Sequence, residues 1–362
     1  TLRMSYQLST SPLSQLFADA STKDKFGKQI REVIMQYCYR TGLLPDGADD
    51  KTIDASVASL NELDEAASSW SSLQVCSLAE VAQPQKPLLG CIIFYPTYST
   101  WVGGRLRLGL VQCDSSQQSN QQLLYSLLRS VICRALDDED LQRIELLHPA
   151  SDAAVYGPLM QLGFEDLTQT EEWHFARLDR DGLQNLANRP AKSGIAVRAG
   201  AESDCAEVMK MIHGLANFEK LQAQVRINED QLRRDIFGER KFAQLFIAEC
   251  SNSGEILGYA LAFDEFWPSG RGVCLEDVFV QPAHRGKGVC SALFSAVARD
   301  SLYNRRCHFM SLCYLAWNSA ALDVYRHYGF VDITGSDSSK SNGAHFLRLS
   351  RDQFRSALGQ AL

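Results

Sequence analysis

No run of about 18 consecutive apolar residues occurs in the chain, so no segment reads as a membrane-spanning helix. The opening TLRMSYQLST lacks the apolar core of a signal peptide, and Met4 is the expected natural start. Histidine is scarce, 7 in 362 residues, and does not gather near the cysteines. None of the 11 cysteines stands in a Cys-x-x-Cys pair, which argues against a metal site and a disulfide framework. Cys250, Cys274 and Cys313 instead lie inside apolar runs, where a free thiol behaves as a small hydrophobe, as in a reduced, cytoplasmic protein. An excess of positive charge is also missing. The 36 basic residues face 43 acidic ones, a net charge of −7, which weighs against a nucleic-acid partner and suits small cationic substrates.

What is present is a repeated α/β pattern. A chain of 362 residues has room for two or three domains. Amphipathic helical spacing appears in FGKQIREVIMQYCYR (26–40) and over 51–70, either side of the turn chemistry at 44–50. Strands are expected at 72–80, 87–101, 105–112, 143–150 and 173–178, with helices at 121–136 and 153–164. NLANRPAKSG (185–194) has linker composition, and from Ile195 the pattern runs again. A helix over 203–221, capped by Ser203 or Asp204, and a shorter one over 228–238 lead into strands at 243–250 and 255–267. After residue 275 come a strand, a helix to about Tyr303, a strand at 308–316, a helix over 318–329, and strands at 330–334 and 344–349.

Three segments recur in the same order. PLLGCIIFYPTYSTW matches EILGYALAFDEFW, with Gly90 and Gly258 168 residues apart. DAAVYGPLMQLGF matches NSAALDVYRHYGF, with Gly163 and Gly329 166 residues apart. WHFARLDRDGLQNL echoes AHFLRLSRDQFRSAL. A repeat as long as a domain means duplication, giving two tandem domains of mixed α+β sheet, 1–188 and 189–362.

The copies differ at LEDVFVQPAHRGKGVCSALF (275–294). Its β-prone run stops at Pro282, which has no N–H for a ladder. Gly286 and Gly288 let the backbone turn with its N–H groups converging, and a helix begins just after Gly288. A helix N-terminus with Arg285 and Lys287 beside it is a pyrophosphate cradle. A Walker loop would need Lys-Ser or Lys-Thr, but Lys287 precedes Gly288. A dinucleotide fold would place the turn on its first strand and end the next strand with an acid, and 308–318 has none.

Arg285, Gly288 and Cys290 fall on the coenzyme-A loop pattern of the GNAT superfamily of N-acetyltransferases, with Cys290 in place of the usual Gly or Ala. With Leu275-Glu276-Asp277 ahead of the loop, residues 194–357 resemble the diamine (spermidine/spermine) and thialysine N-acetyltransferases. The resemblance implies two tandem GNAT-like domains and acetyl-CoA as cosubstrate. It assigns acetyl-CoA to Val278, Phe279 and Val280 on a splayed strand, to the loop Arg285, Gly286, Lys287, Gly288, Val289, Cys290 and Ser291, and to Asn318. Tyr325, seven residues after Asn318, would be the general acid for the leaving thiolate, and a phenol near pKa 10 suits a thiol near 8.5. Glu276 is the candidate base for the ammonium proton, acting through water, while strand alternation turns Asp277 to the other face. Phe218, Glu219, Asp264 and Glu265 resemble the family's substrate positions and, with Glu276, would form an acidic, aromatic channel for a polyamine, a diamine or a thialysine-like amine.

The first copy lacks this chemistry. CDSSQQSN (113–120) replaces the glycine-rich basic loop, Leu159 stands in place of Tyr325, and no acid matches Glu276. That copy is expected to be a non-catalytic pseudo-subunit, making a pseudo-dimer within one chain that could work as a monomer. The alternatives are acetyl transfer to another amine class (arylalkylamine, amino acid or protein) or a non-catalytic acyl-CoA-binding regulator.

Overall fold

The structure is a computed structural model that describes residues 6–12, 29, 33, 74–80, 88–113, 120–190, 192–267, 270–334 and 343–360. The helices expected over 26–40 and 51–70 lie outside the described residues, apart from Gln29 and Val33, which are helical. The first copy contains β1 (Tyr6–Pro12), β2 (Gln74–Glu80), β3 (Gly90–Ser99) and β4 (Gly103–Cys113). There follow α1 (Asn120–Asp137), β5 (Leu141–Pro149), α2 (Ala153–Gln161), β6 (Glu165–Asp166), α3 (Leu167–Thr170), β7 (Trp173–Leu178) and α4 (Arg180–Ala187). The second copy runs β8 (Ile195–Ala199), α5 (Cys205–Glu219), α6 (Glu229–Phe237), β9 (Gln244–Cys250), β10 (Ile256–Trp267) and β11 (Gly270–Val280). It continues with α7 (Val289–Arg299), β12 (Phe309–Leu315), α8 (Ser319–His327), β13 (Val331–Asp332), β14 (Ala344–Ser350) and α9 (Phe354–Gln360).

The strands follow from apolar runs long enough to be buried on both faces. In β3 every residue but Pro96 is buried, so the strand is central rather than at an edge. In α1, Leu124, Leu127, Leu128, Val131 and Ala135 recur at helical spacing and are all buried, so one face packs on the first sheet. Two expectations change at helix ends. Asp204 does not cap α5; its carboxylate accepts the Ala201 N–H at 2.8 Å and takes both Nη atoms of Arg198. The helix expected to run to about Tyr303 ends at Arg299 and passes into a π-turn over Asp300–Asn304.

The strand order within the sheets is not what tandem domains would give. One sheet runs β1-β2-β3-β4-β5-β14-β6, the other β13-β7-β12-β11-β10-β9-β8. The last long strand of each copy has crossed into the other copy's sheet. β7 pairs antiparallel with β12, Phe175 opposite Cys313, and β14 pairs antiparallel with β5, Arg348 opposite Glu145. The helices travel with their strands, α4 packing on α7 and α9 on α1. A boundary at 188/189 therefore falls between α4 and β8, while sheet membership crosses it in both directions. The crossing segments are the echoing pair WHFARL and AHFLRL. Each is held by the same device: His174 Nδ1 meets Asp332 on β13 at 2.9 Å, and His345 Nδ1 meets Asp166 on β6 at 2.7 Å. Phe175 and Phe346 touch edge to face, 4.9 Å apart.

Where the copies meet, three adjacent strands carry a ladder of charge. Arg107 on β4, Glu145 on β5 and Arg348 on β14 are register partners. Glu145 is fully buried and accepts from Arg348 Nε at 3.0 Å and Arg105 Nη1 at 3.0 Å, with Arg107 Nη2 at 3.6 Å. Burial opposes its charge, but Arg105, Arg348, Arg107 and Arg143 more than offset that and hold its pKa down to about 2. Glu145→Gln leaves this buried arginine cluster without its common carboxylate. We expect a loss of about 3–5 kcal/mol of stability at pH 7 by urea unfolding. A carboxylate held below its ordinary 4.5 stabilises above that pH and loses the effect as pH falls towards 2, so the two proteins should converge in acid. Equal stability at pH 7 would contradict this role for Glu145.

Candidate active site

The cavity arises where two parallel strands part. β11 and β12 pair from Gly272–Phe309 to Leu275–Leu312 and then separate, although β11 runs on to Val280 and β12 to Leu315. From Glu276 onward the β12-facing edge of β11 has no ladder partner among the described residues. On its other edge β11 stays paired to β10, where the register shifts: Leu261 faces Asp277, Ala262 faces Leu275, and Glu276 is the extra residue. Such a bulge breaks the two-residue alternation. Asp277, expected on the far face, therefore lines the cavity together with Glu276. It is buried and accepts the Tyr259 hydroxyl at 2.7 Å.

The gap holds a cavity of about 280 Å³. β11 supplies Glu276 to Val280 as one wall, and α8 supplies Asn318 at its N-cap and Tyr325 in its last turn. Cys290, Arg285, and Phe218 and Glu219 from the end of α5 also line it, with the Arg285 guanidinium 6.0 Å from the Phe218 ring. Asn318 is the N-cap of α8, its side-chain oxygen accepting the Ala321 N–H at 3.2 Å. The Tyr325 ring packs against Tyr314, Phe294 and Phe330 at 5.9–6.2 Å. Burial pushes its phenol well above the ordinary range, so it stays protonated at neutral pH.

The loop after β11 takes the cradle shape. Gly286 and Gly288 have φ of +74° and +92°, in the left-handed region, and Gly288 is the N-cap of α7. Arg285 donates from Nε to the Val280 carbonyl at 3.1 Å, and its guanidinium lies 5.7 Å from the Phe279 ring. Gly286 and Lys287 are exposed, Val289 turns into the core, and Ser291 is half-buried. None of Gly286, Lys287, Gly288, Val289 or Ser291 lines the cavity.

Two expected channel residues lie elsewhere. Asp264 is buried in ion pairs with Arg271 at 2.6 Å and Arg305 at 2.9 Å. Glu265 is buried and accepts the Ser311 hydroxyl. Both belong to the end of β10 that is packed away from the cavity lining. In their place the first copy and the crossed strands contribute residues missed in the sequence. These are Trp101, Arg105 and Arg107 from the first copy, Trp173 and Phe175 from β7, and Phe346 and Arg348 from β14. The available signal was RLRLGL, two arginines on one face of a strand otherwise apolar enough to be buried.

Arg105 is the bridge between the copies. Its Nη2 donates to Glu276 Oε2 at 2.7 Å and also reaches the Tyr98 carbonyl. Burial pushes the Glu276 carboxyl up, Arg105 pulls it down, Asp277 pushes it up again, and it titrates at about 7. Glu219 is pushed up to about 8 by burial and by the charges of Asp277 and Glu276. Burial likewise raises Asp277. The site therefore holds two carboxyls, Glu276 and Glu219, raised to near neutrality beside a phenol that keeps its proton.

At the equivalent place in the first copy the bulge carries no acid. β4 carries the matching bulge at Gly109, since Ile93 faces Leu110 and Phe94 faces Leu108. A Cβ on Gly109 would come within 2.9 Å of the Tyr95 ring and 3.1 Å of the Phe266 carbonyl. Leu159, at the position of Tyr325 in the matching helix, is fully buried. Among the described residues, no group of three His, Cys, Asp or Glu could hold a metal ion, and no helix is long and apolar enough to cross a membrane.

Parted strands, a glycine turn at a helix start and a cavity lined by Glu276 and Tyr325 fit an acyltransferase. Residues 212–330 match the acetyltransferase (GNAT) family. Thialysine N-epsilon-acetyltransferase of Mus musculus is 39% identical over 149 residues, 39% of this chain and 86% of that protein. The Bos taurus protein of the same name is 34% identical over 174 residues, 46% of this chain and 98% of its own. A solved Drosophila structure shares 12% identity at a TM-score of 0.50, covering 90% of this chain and 97% of that one, a likeness of fold alone. The chain belongs to the GNAT family of acetyltransferases and is an N-acetyltransferase related to the thialysine and polyamine enzymes. The family uses acetyl-CoA as cosubstrate.

Arg105→Met removes the positive charge that holds Glu276 down. Its titration should then move above pH 7 by about one unit, read by difference infrared spectroscopy with Glu276→Gln as the blank. No shift, or a downward one, would contradict the assigned ion pair.

Proposed function

We propose that the protein transfers the acetyl group of acetyl-CoA directly to the primary amine of a small cationic substrate of polyamine, diamine or thialysine type. The second copy, 189–362, carries the chemistry, and the first, 1–188, binds no acetyl-CoA. The observation that carries this reading is that Tyr325, Glu276 and the open edge of β11 share one cavity.

The loop Arg285–Ser291, with the start of α7, holds the pyrophosphate through backbone N–H groups and the helix dipole. A backbone N–H among Val278–Val280 polarises the thioester carbonyl, and the amide of Asn318 steadies the pantetheine arm. Glu276, titrating at about 7, takes the ammonium proton through water. The freed amine attacks the carbonyl carbon, the C–N bond forms, the nitrogen gives up its second proton to solvent, and the C–S bond breaks. Tyr325 delivers its phenolic proton to the departing thiolate. The new amide and CoA leave, and solvent restores the phenol. The acids Glu219 and Asp277 stand beside Glu276 and favour a cationic group at that end of the cavity.

Release of CoA measured against an amine panel tests the assignment. Tyr325→Phe should keep acetyl-CoA affinity and lose about 10²–10⁴-fold in kcat. Wild-type kcat/KM should rise with pH through about 7, as Glu276 loses its proton, and Glu276→Gln should abolish that limb. Unchanged turnover in Tyr325→Phe would remove it as the acid, and a persisting limb in Glu276→Gln would remove Glu276 as the base.

A further inference from the structure

The first copy has neither the glycine-rich loop nor the tyrosine, yet one of its side chains reaches the carboxyl of the second. Arg105 stands on β4, is 5% exposed and lines the cavity. Its guanidinium is fixed from the first copy's side. Nη1 donates to Glu145 Oε2 at 3.0 Å, Nη2 reaches the Tyr98 carbonyl, and Glu145 is held in turn by Arg348 of the crossed β14. The Phe263 ring lies 5.5 Å from its centre. Nη2 then donates to Glu276 Oε2 at 2.7 Å. Glu276 is the extra residue of the β11 bulge, so regular ladder pairing does not set its direction. Among the described residues Arg105 is its one hydrogen-bond donor and the one cation within 4 Å, and Oε1 accepts nothing. Other groups act on it from every side. Asp277 follows it on β11, Glu145 lies on β5, Glu219 on α5, Tyr98 on β3, Tyr259 on β10, and Cys274 and Cys313 on β11 and β12, while Arg107 on β4 is a second, more distant cation.

A general base has to be ionised and has to point at the proton it takes. We propose that Arg105 is a positioning residue for Glu276, holding Oε2 so that Oε1 is left for the water that carries the ammonium proton, and that the first copy is thereby part of the second copy's active site. This rests on the reading of Glu276 as the base. Charge and geometry both support it. Burial and the acids Asp277 and Glu145 push the Glu276 carboxyl up, and Arg105 is the strongest influence drawing it back, to about 7. Without that guanidinium the carboxyl would keep its proton at neutral pH. The second copy's own loop does not supply a substitute, since Arg285 is turned to the Val280 carbonyl and the Phe279 ring. The motifs of the second copy thus bring the base, and the first copy brings its counter-charge. A copy without loop or tyrosine therefore still bears on the reaction.

The test is the pH profile of kcat/KM for the amine, followed by CoA release from the full chain. Wild type should show a rising limb near 7 that Glu276→Gln removes. Arg105→Met should move that limb up by about one unit, a loss of about tenfold on its acid side. On the plateau above the limb a further loss of about tenfold in kcat should remain, from the misdirected carboxyl. Arg105→Lys restores the charge without the planar fork, so its limb should return towards 7 while the plateau loss stays. Added guanidinium should raise the rate of Arg105→Ala more than methylammonium does, because the vacated place opens on the cavity. Glu145 keeps Arg348 in every variant, and unchanged acetyl-CoA affinity reports the fold. A limb that Glu276→Gln removes but that stays near 7 in Arg105→Met would overturn the positioning role and leave the base assignment standing. So would a loss equal at every pH that neither lysine nor guanidinium repairs. A limb that survives Glu276→Gln would remove the base itself, and the role of Arg105 with it.

Discussion

The reciprocal crossing of β7 and β14 is the constraint on which the rest depends. A five-stranded half-sheet ending at β5 or β12 would present an open edge of N–H and C=O groups, and each copy closes the edge of the other. With the strands go the residues that bring the copies together: Phe175 against Phe346, His174 on Asp332, His345 on Asp166, and Arg348 on Glu145. Core packing follows the same logic, since one continuous cluster includes Ile92 and Leu127 of the first copy and Ile247 and Tyr259 of the second. The copies are therefore halves of one body. The cavity has walls from both because it opens at their junction.

Two backbone irregularities then decide where chemistry can occur. The parting of β11 from β12 frees a strand edge, and the bulge at Glu276 turns two successive carboxylates inward. The first copy keeps the same bulge at Gly109 but fills it with the Tyr95 ring and the Phe266 carbonyl. Duplication thus preserved the sheet geometry in both copies and the polar groups in one. Arg105 joins them, pairing with Glu145 in its own half and Glu276 in the other. A carboxyl lining the cavity and a buried carboxylate at the junction are thereby tied to one guanidinium.

Much of this was legible in local sequence. The cradle could be read because Gly286 and Gly288 flank Lys287 just after a strand and before an apolar helix, a pattern with a direct backbone meaning. Tyr325 and Asn318 could be read because both lie on one short helix. The crossing could not, since WHFARL and AHFLRL have the same pattern and fit either sheet. Asp277 was assigned to the wrong face because alternation holds only until a bulge interrupts it. Asp264 and Glu265 matched a family position, yet buried partners, Arg271, Arg305 and Ser311, hold them away. Arg105 and Arg107 were passed over because long-range pairing, not local spacing, brings them to Glu276 and into the cavity.

The central claim is that one cavity, opened by the second copy and walled by the first, is the acetyl-transfer site. A crystal structure of the full chain with acetyl-CoA tests it most directly. The account predicts one acetyl-CoA per chain, its pyrophosphate on the loop Arg285–Ser291 and its acetyl group between β11 and β12, facing Tyr325 and Glu276. Acetyl-CoA seated between β4 and β5 of the first copy, or bound with its acetyl group outside the cavity, would contradict it.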